Sequence, residues 1–261
     1  MEKAVITVKA VFDAIDGFAP FESCEKWDNS GLLTGKFESE VSGIIIALDM
    51  SMKVLDEAIN RGINTVVTHH PILFGGRKNL REDDAEGRLL CAMVRNNINL
   101  ISAHTNFDKA SGGVNDLLAE SLGLKNVTGI EGDEEGYLRI GDIQKMSLSA
   151  FACLAKQTLG DEVRAYGQGD KMIERVAVCG GAGGEFARLC MEKGADAYLT
   201  GEMRYHDSLD LAQAGFATLH AGHDATEKLA LKGFEDLFKA EFPDTKIVLC
   251  KNDGFSVSAK S

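Results

Sequence analysis

Short blocks of aliphatic and β-branched residues alternate along this chain with longer stretches whose apolar positions recur at helical spacing. The first helical stretch begins after Thr7, a candidate N-cap, and puts Val8, Val11, Phe12 and Ile15 on one face. Segment 42–50 (SGIIIALDM) crowds isoleucines together without helical spacing and reads as a buried strand. Ser51 then caps a short helix that Gly62 ends. Segment 63–68 (INTVVT) is a second buried strand and runs directly into His69-His70-Pro71. A helix over 83–97, with Leu89, Leu90, Met93 and Val94 inward, leads to a third strand, 98–103 (INLISA), ending at His104. Gly112-Gly113 opens another helix through Leu117, Leu118 and Leu122.

At 129–136 (GIEGDEEG) the pattern breaks into acidic and glycine-rich sequence, which predicts a crossing between domains. A smaller α/β unit follows. Strands are expected over 137–143, 175–179, 197–200, 217–221 and 246–250, and helices over 147–159, 207–215 and 224–240. The loop Gly180-Gly181-Ala182-Gly183-Gly184 leads into one more helix, ending near Gly194. Strands alternating with helices in this way predict βαβ units and a mainly parallel sheet. In such sheets ligands collect beyond the carboxyl ends of the strands.

Composition narrows the class. With 261 residues, 44% hydrophobic and 26% charged, the chain can bury a substantial core as one large domain or two modest ones. The 28 Lys and Arg against 40 Asp and Glu give a net charge of −12, and no basic stretch offsets it. Such a surface repels phosphate backbones, so a nucleic-acid partner is not expected. Cys24, Cys91, Cys153, Cys179, Cys190 and Cys250 form no C-x-x-C pair and suit reduced thiols. The N-terminal segment lacks the features of a signal peptide, and no run of apolar residues is long enough to span a membrane. A soluble, cytoplasmic protein is expected.

Of the six histidines, His69, His70, His104, His220 and His223 follow or close expected strands, and His206 opens a helix after one. At the frayed end of a strand, His69 and His70 can both turn toward a common cleft and serve two different metals, although an isolated pair of this kind is also a common surface turn. Asp108, four residues past His104, can fold back beside the strand end and bridge two hard cations, or simply cap a turn. His104 itself could be a ligand, a hydrogen-bond partner of one, or a proton-transfer group. His223 and Glu227 share one helical face at a separation of four, the spacing of a chelating pair or of a solvated polar pair. Three imidazoles and two carboxylates, with no thiolate, suit an open pair of divalent ions better than a closed structural zinc site. This donor set admits zinc, manganese, iron, nickel or cobalt.

These motifs resemble those of the NIF-three-like family (interacting factor three), whose bacterial members are often called GTP cyclohydrolase 1 type 2 homologues. The resemblance rests on Trp27-Asp28-Asn29-Ser30-Gly31-Leu32-Leu33, Thr68-His69-His70-Pro71, Ala103-His104-Thr105-Asn106-Phe107-Asp108, Gly194-Ala195-Asp196, Thr200-Gly201-Glu202, Tyr205-His206 and Gly222-His223-Asp224-Ala225-Thr226-Glu227. They span almost the whole chain in the expected order. Ala19-Pro20-Phe21 replaces the usual proline pair, and Asp224 stands where an aromatic residue or His is common; neither departure touches a supposed ligand.

The resemblance implies the short form without a middle insertion and two interleaved α/β domains with parallel or mixed sheets flanked by helices. Their bounds are expected at 1–128 plus 216–261 and at 129–215. It further implies a dinuclear centre at His69, His70, Asp108, His223 and Glu227, and a toroidal homohexamer. The activity implied is hydrolysis of a purine nucleotide, with a scaffold or regulatory ring without turnover as the alternative. His104 and Glu202 are the candidate proton-transfer groups, and Asn29, Tyr205 and His206 the candidate substrate contacts. No segment spells a triphosphate pocket, and only Arg77-Lys78 offers a local basic patch. The Gly180 to Gly184 loop lacks both the G-x-G-x-x-G spacing and the Lys-Ser/Thr of a P-loop, which favours a tight turn with close packing over a phosphate cradle.

Overall fold

A computed structural model describes residues 5–160 and 163–250, and in it the chain forms two α/β units. The first comprises 1–110 and 230–261, the second 111–229.

The first unit opens with α1 (Val8–Phe18), whose N-cap Thr7 accepts a hydrogen bond from the Ala10 amide. Strand β1 (Gly31–Thr34), β2 (Ile44–Ala47), α2 (Met52–Arg61), β3 (Thr65–Thr68), α3 (Ala85–Arg95), β4 (Asn99–Ser102) and the short α4 (Thr105–Lys109) follow. Ser51 caps α2, and Gly62 ends it in the left-handed conformation that glycine adopts without steric cost. Strands β2, β3 and β4 pair in parallel, with Ala47 beside Thr68 and Thr68 beside Ser102. Their carboxyl ends therefore lie level, and the residues that follow them emerge side by side. β1 joins β4 in antiparallel fashion.

The second unit holds α5 (Val114–Ser121), β5 (Lys125–Thr128), β6 (Arg139–Ser147), α6 (Leu148–Leu159), β7 (Arg164–Tyr166), β8 (Met172–Cys179), α7 (Ala187–Glu192), β9 (Ala197–Thr200), α8 (Tyr205–Gln213), β10 (Ala217–His220) and α9 (His223–Glu227). Its sheet runs β5-β6-β8-β9-β10-β7. The central β8, β9 and β10 are parallel, with Cys179 beside Thr200 and Thr200 beside His220. β5, β6 and β7 add antiparallel pairs at the flanks. The chain then returns to the first unit through α10 (Leu229–Glu241), where Phe234 stacks on Phe107 at 4.1 Å. β11 (Ile247–Leu249) completes the first sheet, in the order β1-β4-β3-β2-β11.

The mixed α/β architecture expected from the residue pattern is present, with several local differences. The units meet at 110/111 and 229/230, so α5, β5, β10 and α9 belong with the second sheet. Segment 129–136 is a turn between the paired β5 and β6, closed by the Asp133 carboxylate accepting from the Gly136 and Leu138 amides, and marks no crossing between units. Val94 points outward and is 62% exposed, because α3 buries a stripe through Leu89, Leu90 and Met93 that leaves Val94 beyond its edge. The stretch expected as one helix over 224–240 is two, α9 and α10. Among the described residues no helix is long and apolar enough to cross a membrane.

Candidate metal centre

In the first unit, β2, β3 and β4 each deliver polar residues just past their last paired position. β3 runs into His69 and His70, β4 into His104, and β2 into Asp49. The ligand atoms of His69, His70 and His104 lie within 4.8 Å of one another.

Each imidazole is oriented through Nδ1. His69, fully buried, places Nδ1 3.0 Å from the Ala103 carbonyl. His70 places Nδ1 2.8 Å from Asp49 Oδ1, and His104 places Nδ1 3.0 Å from Asp28 Oδ1. A carbonyl or carboxylate oxygen can only accept, so Nδ1 carries a proton in all three rings, and in the neutral ring that leaves the lone pair on Nε2. This is the tautomer and the supporting partner that a metal-ligating histidine requires. Asp108, on α4, brings Oδ1 to 3.4 Å from His69 Nε2. The donor set fits a divalent cation on the structure's own evidence: nitrogen and carboxylate atoms converge, and no thiolate joins them.

Asp28 anchors the periphery. Its carboxylate accepts from the Thr105 hydroxyl (2.6 Å), the Thr105 amide (3.1 Å), the Ser30 hydroxyl (3.0 Å) and the Asn29 amide (2.7 Å) as well as from His104. Burial by itself would raise the Asp28 carboxyl; the hydrogen bonds from His104 and Thr105 outweigh it and hold the group well below the usual carboxylate range. Neither Asp28 nor Asp49 stands out in the sequence as a site residue. The available signal was position, since Asp49 follows a buried strand at the same edge as the histidines.

In the second unit the carboxyl ends of β8, β9 and β10 lead into Gly180-Gly181, Gly201 and Ala221-Gly222. α9 begins at once, placing His223 Nε2 3.1 Å from Glu227 Oε2, with Glu227 almost fully buried. Glu202 Oε1 stands 3.5 Å from His223 Nδ1. The glycine loop lets α9 come this close. A Cβ on Gly181 would sit 2.2 Å from Glu227 Oε1, and one on Gly201 would sit 2.8 Å from His223 Cα. Three of the loop amides are committed: Gly180 donates to Asn115 Oδ1, Gly181 to Thr226 Oγ1 and Gly183 to Thr200 Oγ1. The loop is thus a packing device and not a phosphate cradle.

The remaining expected residues have the following partners. Asn29 spends its amide nitrogen on the carbonyls of Ile72 (3.0 Å) and Leu73 (3.3 Å), which holds the loop after His70 in place. Tyr205 and His206 open α8 in exposed positions; their ring contacts are with each other and, for Tyr205, with Tyr166. Of the Arg77-Lys78 pair, Arg77 is committed to Asp84 and Glu86, at 2.6 and 2.5 Å.

Two α/β sheets, each presenting imidazole and carboxylate groups past the carboxyl ends of its parallel strands, define a protein with a candidate metal centre. The chain belongs to the Duf34/NIF3 (NGG1p interacting factor 3) family, whose model matches residues 6–253. It is 35% identical over 231 residues to a Clostridium acetobutylicum protein named GTP cyclohydrolase 1 type 2 homolog, with 85% of each chain covered. Among solved structures it resembles the Staphylococcus aureus hypothetical protein SA1388, with 27% identity and a TM-score of 0.90 over 98% of this chain and all of that one. Reduced HcgD from Methanocaldococcus jannaschii is similar at 29% identity and a TM-score of 0.83, over 96% of this chain and 100% of that one.

Proposed function

We propose that His69, His70, Asp108, His223 and Glu227 together hold two divalent metal ions and that the protein is a metal-dependent hydrolase acting on a purine nucleotide. The observation that carries this reading is the shared orientation of His69 and His70 at the end of one parallel sheet, each tied through Nδ1, with Asp108 Oδ1 3.4 Å from His69 Nε2. The name borne by curated relatives supports the substrate class. Divalent ions in such a site supply Lewis acidity and a nucleophile at neutral pH.

The chain's own residues divide the remaining work. Asp49 and the Ala103 carbonyl keep the His70 and His69 rings in their ligating tautomer. Asp28 does the same for His104, which leaves His104 Nε2 to accept a proton and return it. Glu202, exposed beside His223, is the second candidate for proton transfer. Assembly into a homohexameric ring belongs to the same proposal.

Metal content per chain, measured on untagged wild type and on Asp108→Ala, tests it. About two equivalents in wild type, a sharp loss in the variant and parallel loss of GTP consumption are expected. Failure to load zinc or manganese would overturn the metal centre. Full loading without consumption of any nucleotide tested would leave a metal-binding scaffold.

A further inference from the structure

Three imidazoles do not account for the apolar surface beside them. Trp27 is 58% exposed and Phe74 48%, and their rings meet at 5.9 Å with planes 30° apart. Each also meets the His104 ring edge-on: Trp27 at 6.1 Å and 76°, Phe74 at 5.8 Å and 77°. Two large aromatic faces are thus held beside the centre and left largely open.

The loops that carry them are fixed. Phe74 follows Leu73, whose φ of 66° lies in the left-handed region that a branched side chain rarely adopts. Such strain persists only where the surroundings impose it, and it gathers at ligand sites. Here the Asn29 amide holds the Ile72 and Leu73 carbonyls, and the Leu73 amide donates to Glu86 Oε1 at 3.2 Å. Arg77 in turn fixes Glu86 and the α3 N-cap Asp84. On the other side Trp27 precedes Asp28, which is tied to Ser30, Thr105 and His104. Asn29 therefore joins the Trp27 loop to the Phe74 loop, and it is a positioning residue for the aromatic pair.

We propose that Trp27 and Phe74 form the ring-stacking platform of the substrate pocket, so that the substrate carries a flat aromatic or heteroaromatic ring seated beside His104. The proposal rests on the hydrolase reading for the chemistry next to that ring. Ring faces bind flat bases without needing charge, which suits a chain of net charge −12 in which Arg77, three residues past Phe74, is already paired with Asp84 and Glu86.

Trp27 is the sole tryptophan of the chain and reports on the platform directly. Guanosine, an uncharged purine nucleoside, is titrated into the zinc-loaded full-length protein while tryptophan emission is followed, with ribose as the control. Saturable quenching by guanosine alone is expected. Phe74→Ala should weaken it about tenfold and Phe74→Tyr by less than about twofold, since tyrosine keeps the ring face. Circular dichroism confirms that both half-exposed substitutions leave the fold intact. No saturable response up to the solubility limit, or equal affinity in Phe74→Ala, overturns the proposal. So does emission that follows protein dilution and ignores guanosine, the sign of a second copy covering the platform. Nucleotide hydrolysis without any guanosine response at Trp27 would sink the platform alone. Guanosine binding without hydrolysis of any nucleotide would sink the hydrolase reading alone.

Discussion

Gly181→Ala should separate metal binding at the proposed centre from the stability of the fold. Gly181 has φ +60°, and an added Cβ would lie 2.2 Å from Glu227 Oε1, 3.2 Å from Glu227 Cδ and 3.4 Å from His223 Nε2. Alanine in the left-handed region costs about 1–2 kcal/mol. The clash is with the end of a side chain, so it is relieved when the Glu227 carboxylate swings away by roughly 1 Å to reach van der Waals separation. That movement breaks the 3.1 Å approach of Glu227 Oε2 to His223 Nε2. Metal–ligand distances tolerate only about ±0.2 Å, and disturbing even the supports of a ligand typically weakens binding by about 10–100-fold.

Gly194→Ala is the matched control, because Gly194 has φ +82° in the same unit and nothing lies within 4 Å of its added Cβ. In chelator both variants should melt a few degrees lower than wild type, at about 2–4 °C per kcal/mol. In a zinc titration against a chromophoric chelator, only Gly181→Ala should lose affinity, by at least about tenfold. Equal zinc affinity in the two variants would refute the claim that the glycine loop exists to admit the Glu227 carboxylate.

Three further outcomes are expected. Asn115→Ala removes the buried acceptor of the Gly180 amide and should cost about 1–3 kcal/mol in denaturant melts of metal-free protein; a change near zero would mean that the loop does not depend on that bond. Met93→Ala, in the core, should cost about 2–5 kcal/mol, whereas Val94→Lys on the exposed edge of α3 should stay within about 0.5 kcal/mol; a large loss for Val94→Lys would contradict its outward placement. Burial, reinforced by the Arg164 charge, pulls the His220 pKa below its ordinary 6.5. The unfolded chain then binds more protons than the folded one between the two values, so stability falls as pH drops through 6.5 and levels off below the folded value. His220→Gln should flatten that limb of the melting profile, and an unchanged slope would remove His220 as its source.

The strand ends were legible because β2, β3 and β4 are buried on both faces: β2 and β3 read as β-branched runs, and β4 carries Leu100 and Ile101 at its centre. The helix starts at Thr7, Ser51 and Ser147 were legible because each side chain accepts from its own first turn. Strands β1, β5 and β7 were not, since they are short, partly exposed and paired at the sheet flanks, where no hydrophobic alternation is demanded. The unit boundaries were misplaced for a related reason. Acidic, glycine-rich sequence at 129–136 serves a turn between paired strands as well as a linker, and local composition cannot tell the two apart.

At the site, residue type revealed the histidines but not the carboxylates that orient them. Asp28 and Asp49 act through pairings to His104 and His70 that are 76 and 21 residues away in the chain. Such pairings exist only once the sheet has brought its strand ends level. The same holds for Asn29, whose side chain reaches loop carbonyls 43 and 44 residues on. A polar turn motif and a rigid support for two aromatic rings look identical in sequence, and the difference between them is made by topology. The consequence is specific: removing the Asn29 amide should loosen the platform of Trp27 and Phe74 without touching any ligand atom, whereas removing Asp49 should free the His70 ring and leave the platform intact.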